Sequence, residues 1–297
     1  MRMSWNTSDI PDQTGRTFFI TGANSGLGEQ SALALGAAGA QVILACRNVA
    51  KAEPVAARIG DNATITELDL ASLDSVRACA ERTGPVDVLI NNAGVMAVPQ
   101  GRTADGFEMQ FGTNHLGHFA LTGLLLPKVS DRVVTLSSSM HQIGKMNLED
   151  PNYRQRRYSR WPAYGQSKLA NLLFGYELAK RLTAVGSHVK SIVAHPGYAS
   201  TELQSHTESI WDRVMALGGS YVAQSAADGA LPQLYAATSP QARSGAFYGP
   251  TQLGGMRGAP GPAKSNKRSH DELMAAGLWD LSESLTGVEY SFEQVSR

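Results

Sequence analysis

The chain has 297 residues, of which 42% are hydrophobic and 18% charged, a soluble globular composition long enough to bury a sizeable core. Lys and Arg (26) balance Asp and Glu (26), so no net field draws the protein to nucleic acid or to an anionic bilayer. The two cysteines, Cys46 and Cys79, match neither a disulfide framework nor a zinc-type spacing, so no metal is expected and a reducing, cytoplasmic location is.

The opening "MRMSWNTSDIPDQTG" has no apolar core, so no signal peptide is expected. No run approaches about 18 apolar residues, so no membrane span is expected either. Strands are predicted at "TFFIT" from Thr17, "QVILAC" from Gln41, "ATITELD" from Ala63, "VDVLINN" from Val86, "RVVTLSS" from Arg132 and "HVKSIVAH" from His188. All are rich in Val, Ile and Thr and bounded by turn residues. Helices are predicted between them at Leu27–Ala38, Val49–Ile59, Leu73–Arg82, Gly106–Leu126 and Ala163–Ala184. In the third, Leu73, Val76 and Cys79–Ala80 form a stripe, with Ser72 as N-cap and Gly84 as stop.

"EDPNYRQRRYSRWP" from Glu149 shows neither period and carries four arginines, Arg154, Arg156, Arg157 and Arg160. It reads as a solvated insertion. "GGMRGAPGPAKSNKRSH" from Gly254 reads as a surface loop, and "DELMAAGLWDLSESLTG" from Asp271 as a last helix. Strand–helix alternation means parallel βαβ units with right-handed crossovers. The expectation is one α/β domain over residues 1–297, a doubly wound parallel sheet flanked by helices, with a core over 15–250 and a loop and helical extension over 251–297.

"TGANSGLGEQ" from Thr21 sets Gly22, Gly26 and Gly28 between the first strand and its helix. There the free N–H groups and the helix dipole favour a phosphate, and glycine removes the Cβ that would hold a pyrophosphate away. A tight strand–helix turn would use the same residues. The spacing is G-x3-G-x-G, and it is followed in order by "DL" at Asp69–Leu70, "NNAG" at Asn91–Gly94, Asn114, "SS" at Ser137–Ser138, "YGQSK" at Tyr164–Lys168 and "PG" at Pro196–Gly197. From about Gly15 to Gly249 the chain thus resembles the short-chain dehydrogenase/reductase family. "ILACRN" and "YGQSKLANLLF" resemble its retinol-dehydrogenase-like branch, where a longer segment also precedes the tyrosine.

The resemblance implies a Rossmann-type sheet and a dinucleotide. Gly22, Asn24, Ser25, Gly26, Leu27 and Gly28 would hold its pyrophosphate, and Asp69 and Leu70 its adenine. Asn91, Ala93 and Gly94 would flank the ribose, with Pro196, Gly197 and Thr201 at the nicotinamide. Thr201 could equally be a helix N-cap. The position that selects NAD by a carboxylate is Cys46, followed by Arg47. Arginine suits a 2′-phosphate, so NADP(H) is expected over NAD(H).

Tyr164 and Lys168 stand at i and i+4, on one helical face. A nearby ammonium is expected to lower the phenol's pKa from about 10. By resemblance Lys168 also binds the nicotinamide ribose, Asn114 holds a relaying water and Ser138 holds the substrate oxygen. Ser137 and Ser139 alternate to the opposite face. The reaction implied is carbonyl–alcohol interconversion by hydride transfer, with Tyr164 as proton donor and acceptor. A catalytically idle NADP(H) sensor or scaffold, or a C=C reductase of the same fold, are the other readings.

Met96, Val98, Met140, Tyr198, Leu203, Trp211 and Met215 suggest a lipophilic pocket, with Thr201 and Leu203 opening a lid. His115 and His118 lack a third metal ligand and read as packed residues, His195 as a strand end. His141, just past the serines, could touch substrate. The partner expected is a small molecule, with no nucleic acid. The helices from Gly106 and Ala163 imply a homodimer or homotetramer by resemblance.

Overall fold

The computed structural model describes residues 5–198 and 224–295. Eight strands form one sheet: β1 (Thr17–Thr21), β2 (Gln41–Cys46), β3 (Ala63–Glu67), β4 (Val86–Asn91), β5 (Val129–Leu136), β6 (Lys190–Ala194), β7 (Phe247–Gln252) and β8 (Arg257–Pro262). Their spatial order is β3-β2-β1-β4-β5-β6-β7-β8, with β1 to β7 parallel and β8 antiparallel to β7. The order reverses between β1 and β4, which opens a crevice beyond their carboxyl ends.

Alternation along β1 sends Phe18 and Ile20 to one face and Phe19 to the other. The first face packs under α1 (Gly26–Ala37), α2 (Glu53–Ile59) and α7 (Ala226–Thr238). The second packs under α3 (Leu73–Arg82), α5 (Gly117–Leu125), α6 (Arg160–Ala184) and α8 (Glu272–Thr286). Trp279 of α8 is 2% exposed and packs on Phe119 of α5 (5.2 Å), Phe174 of α6 (5.8 Å) and Tyr290 (4.5 Å). Truncating such a residue to alanine costs about 3–5 kcal/mol. The outer faces of α5 and α6 therefore carry the chain's own C-terminal helix.

Three expectations are corrected. The Gly/Pro-rich stretch from Gly254 supplies β8 as well as loop, because β7 offers it an open edge. The helix expected over Gly106–Leu126 starts at α4 (Met109–Phe111), where buried Glu108 caps the N–H groups of Gln110 and Phe111. It then passes through a π-turn, Gly112–Leu116, into α5. The arginine-rich insertion is not simply solvated. Asp150 accepts from the N–H groups of Arg154, Gln155 and Arg156, Arg156 lies 3.7 Å over the Tyr153 ring, and Asp150, Asn152 and Tyr153 are buried. Arg154 and Arg157 remain exposed. No helix among the described residues is long and apolar enough to cross a membrane.

Candidate active site

A cleft of about 630 Å³ runs from the end of β1 to the start of α6. Gly22, Asn24, Ser25, Gly26 and Leu27 line one part of it. Gly22 and Gly26 adopt φ of +65° and +55°, values that only glycine takes without strain. Gly28 lies behind the loop, and a Cβ there would stand 2.2 Å from the Gly22 carbonyl oxygen. Helix and strand end are thus in backbone contact. Asn92 fastens the loop by donating to the Thr21 and Gly22 carbonyls (2.8 and 3.4 Å). Such bare main chain at a helix start fits a pyrophosphate.

Arg47, Lys51, Asp69 and Leu70 line the cleft beside the end of β2. Arg47 is exposed, and Asp69 is set by an Ala71 N–H to Oδ1 bond of 2.9 Å. Burial pushes the Cys46 thiol up, so this position presents no anion. Ala93, Gly94, Pro196 and Gly197 line the cleft as well. Asn91 does not: its amide is buried and donates to Thr122 (2.8 Å) and Thr135 (3.5 Å). Successive side chains leave a strand on opposite faces, so Asn92 lines the cleft instead. Thr201 lies outside the described residues.

Ser138, Tyr164 and Lys168 meet in the cleft wall. The Ser138 hydroxyl stands near enough to the Tyr164 phenol to favour its ionised form in part. Ser138 also caps Met140 N–H (3.2 Å), while Ser137 turns inward and donates to the Lys168 carbonyl (2.8 Å). Lys168 Nζ donates to the Leu136 carbonyl (3.3 Å) and lies 5.7 Å from the Tyr164 ring centroid. Burial pushes Tyr164 up to about 12, the Ser138 hydroxyl opposing it only in part. Burial likewise brings Lys168 down to about 8. Desolvation is the largest influence on both groups.

Asn114 sits in the π-turn, fully buried behind Gly94. Its side chain accepts from Val95 N–H (2.7 Å) and donates to the Val95 carbonyl (2.9 Å) and Ser167 (2.9 Å). Its carbonyl faces His118 Nδ1 at 3.0 Å. His118 Nε2 lies 2.8 Å from Thr21 Oγ1, which already accepts from the N–H groups of Asn92 and Ala93. A carbonyl only accepts, so Nδ1–H donates to Asn114, and Nε2 faces the Thr21 hydroxyl as an acceptor. Sequence reading set His118 aside as packing; the fold uses it to join the glycine loop to the π-turn.

Met96, Val98, Met140 and Tyr198 line the cleft, as does Trp161, which the sequence reading left in the arginine-rich insertion and not in the pocket. Trp161 is 37% exposed and meets the Tyr164 ring edge-on at 6.4 Å. Leu203, Trp211 and Met215 lie outside the described residues. His141 is buried with both nitrogens engaged by protein and does not line the cleft. His115 bonds Ser282 (3.0 Å), and His195 accepts from Gly197 N–H (3.2 Å). No group of three metal-ligating side chains occurs among the described residues.

Residues 16–210 match the family model described as short chain dehydrogenase. The chain is 41% identical over 294 residues to human (Homo sapiens) "Retinol dehydrogenase 13", covering 93% of this chain and 86% of that protein. It is similar to the crystal structure of an uncharacterised protein from Mycobacterium Paratuberculosis, with a TM-score of 0.85, 49% identity, and 97% and 99% of the two chains covered. It is also similar to 3-ketoacyl-(acyl-carrier-protein) reductase from Brucella melitensis complexed with NADH, with a TM-score of 0.60, 25% identity, and 79% and 96% coverage. These matches support an oxidoreductase acting between alcohols and carbonyls. The chain belongs to the short-chain dehydrogenase/reductase family, in its retinol-dehydrogenase-like branch.

Proposed function

We propose that the protein is an NADP(H)-dependent oxidoreductase that interconverts a carbonyl and an alcohol on a lipophilic small molecule. The observation that carries this reading is the meeting of Ser138, Tyr164 and Lys168 in the wall of the same cleft as a glycine loop that leaves main chain bare. Gly22, Asn24, Ser25, Gly26 and Leu27 hold the pyrophosphate of the dinucleotide, and Asp69 and Leu70 flank its adenine. Arg47 and Lys51 favour a 2′-phosphate, since no carboxylate stands at Cys46. When bound, the nicotinamide supplies or accepts the hydride.

This chain's own residues manage the oxygen and its proton. Ser138 donates to the substrate oxygen and holds it against Tyr164. In reduction Tyr164 gives that oxygen its proton, and in oxidation it takes one back. A buried phenol with a raised pKa keeps that proton until the oxygen becomes basic. Lys168 orients the cofactor ribose, and Asn114 anchors the Val95 segment that forms the cleft floor. Met96, Val98, Met140, Trp161 and Tyr198 exclude water from the reacting carbon and favour apolar substrates. The retinol named for the 41%-identical relative is one such alcohol.

A panel of lipophilic aldehydes and ketones with NADPH, assayed for wild type beside Tyr164→Phe, tests the reading. Phenylalanine retains the ring and removes only the hydroxyl. NADPH affinity should stay within about twofold, and kcat should fall by at least about 100-fold. Comparable turnover by the two proteins, or no turnover by wild type across the panel, refutes it.

A further inference from the structure

We infer that the C-terminal extension is part of the active-site frame: Asn266, through His141, sets the position of Ser138 against Tyr164. This deepens the proposed function and rests on Ser138 holding the substrate oxygen. The family match ends at residue 210, so the extension stands outside the segment that matches.

Ser138 stands two residues beyond β5 and caps a 3-10 turn, Ser139–Gln142. Its carbonyl accepts from His141 N–H (3.0 Å) and faces His141 Nδ1 at 2.6 Å. A carbonyl is only an acceptor, so Nδ1 carries the imidazole proton. Nε2 then offers a lone pair, and Asn266 N–H donates to it at 3.3 Å. The Asn266 side chain reaches the same residue from its other end, with Nδ2 donating to the His141 carbonyl (2.8 Å). Arg268 caps the next carbonyls, Gln142 (3.3 Å) and Gly144 (3.1 Å). Asn266 is itself fixed, because its Oδ1 caps Ser269 N–H (3.0 Å) and its carbonyl accepts from the Ser269 hydroxyl (2.7 Å).

Beneath it, the turn rests on α6 with no side chain between. A Cβ on Gly144 would stand 2.3 Å from the Gly165 carbonyl oxygen, and a Cβ on Gly165 would stand 2.9 Å from the Met140 carbonyl oxygen. Gly165 follows Tyr164 directly. The serine turn and the tyrosine helix are thus in main-chain contact, clamped from above by residues 266 and 268. A small displacement of the clamp passes to the Ser138–Tyr164 pair, because packed main chain has no slack to absorb it. Misplacement of a reacting group by about 1 Å can cost about 100-fold in rate. His141 and Asn266 are positioning residues; neither lines the cleft.

Three variants test this. Asn266→Asp keeps the Ser269 cap and sets an oxygen against the His141 carbonyl in place of a donor. His141→Phe keeps a ring and loses both nitrogens. His141→Asn restores an amide N–H at the place of Nδ1. The measurements are kcat and KM for the best aldehyde of the panel, the NADPH Kd from nucleotide fluorescence, and amide hydrogen exchange at His141, Ile143 and Gly144.

Asn266→Asp and His141→Phe should each lower kcat about tenfold or more with NADPH Kd within about twofold, and His141→Asn, which regains the bond to the Ser138 carbonyl but not the one to Asn266 N–H, should recover only part of the loss. Exchange at the three amides should quicken about tenfold in Asn266→Asp. Unchanged kcat in Asn266→Asp, or a kcat loss matched by an equal loss of NADPH affinity, overturns the inference. A His141→Phe chain that fails to fold leaves Asn266→Asp to decide. A wild type that reduces no carbonyl refutes the function instead, and the exchange rates then judge the clamp: unaltered protection overturns it.

Discussion

Replacing Gly28 by alanine adds one methyl group where the start of α1 meets the end of β1. The new carbon would stand 2.2 Å from the Gly22 carbonyl oxygen and 2.6 Å from Asn92 Nδ2. Carbon normally approaches such an oxygen to about 3.3 Å, so about 1 Å must be found. Neither neighbour is a free side-chain end, since Gly22 is main chain and Asn92 is tied to Thr21. The helix start must move away from the glycine loop, at about 1–3 kcal/mol for overpacking. Loss of the Asn92 bond adds about 1 kcal/mol. The melting temperature should fall by roughly 2–4 °C for each kcal/mol. Main-chain N–H groups displaced by 1 Å lose at least one charge-assisted phosphate bond, about 1.5–3 kcal/mol, so NADPH Kd should rise about 10- to 100-fold. Calorimetry and nucleotide-fluorescence titration measure both. Gly84→Ala is the control, since its Cβ would meet nothing within 4 Å. A Gly28→Ala protein that melts and binds NADPH like the Gly84→Ala control refutes the reasoning.

Arg47→Ala should raise KM for NADPH about tenfold or more and leave KM for NADH nearly unchanged; steady-state kinetics with both coenzymes would expose a shared shift instead. Trp161→Ala should raise KM about tenfold for long-chain aldehydes and little for short ones, because the exposed indole offers apolar contact only to a substrate that reaches it; an equal change across chain lengths counts against that role. Burial brings His115 down to about 3 and His118 and His195 to about 4. Between those values and about 6.5 the unfolded chain binds protons that the folded chain does not, so stability rises with pH in that window, by up to about 1.4 kcal/mol per histidine per pH unit. Urea midpoints should therefore fall as pH drops from 6.5 to 4, and a flat profile would contradict the burial of these rings.

Six strands were legible because each is a short run of β-branched and apolar residues punctuated by Gly, Asn, Asp or Pro. The last two were not, because "FYGPTQ" and "RGAPGP" carry turn residues that pair only where a sheet edge is already waiting. Helix α7 hides its period behind Gly229 and Pro232, both buried. The site divides the same way. Tyr164, Lys168 and the three glycines announce themselves through local spacing. The exchange of Asn91 for Asn92 depends on which face a strand's last residues present. His118 meets Thr21 across 97 positions of sequence, which no local pattern reports. The i, i+4 spacing shows the ammonium near the phenol but not the apolar cover that raises its pKa.

Strand β8 carries a consequence for how this protein survives crowding. Ala263 N–H donates to the Phe247 carbonyl, and Gly261 pairs with Gly249. By alternation, Pro260 and Pro262 fall at the positions whose N–H would face outward. Proline has none to offer, so this border presents few donors for a foreign strand to grip. A sheet that would otherwise invite stacking of chain upon chain is sealed there by imino acids, and replacing both prolines with valine should make concentrated solutions turn cloudy sooner.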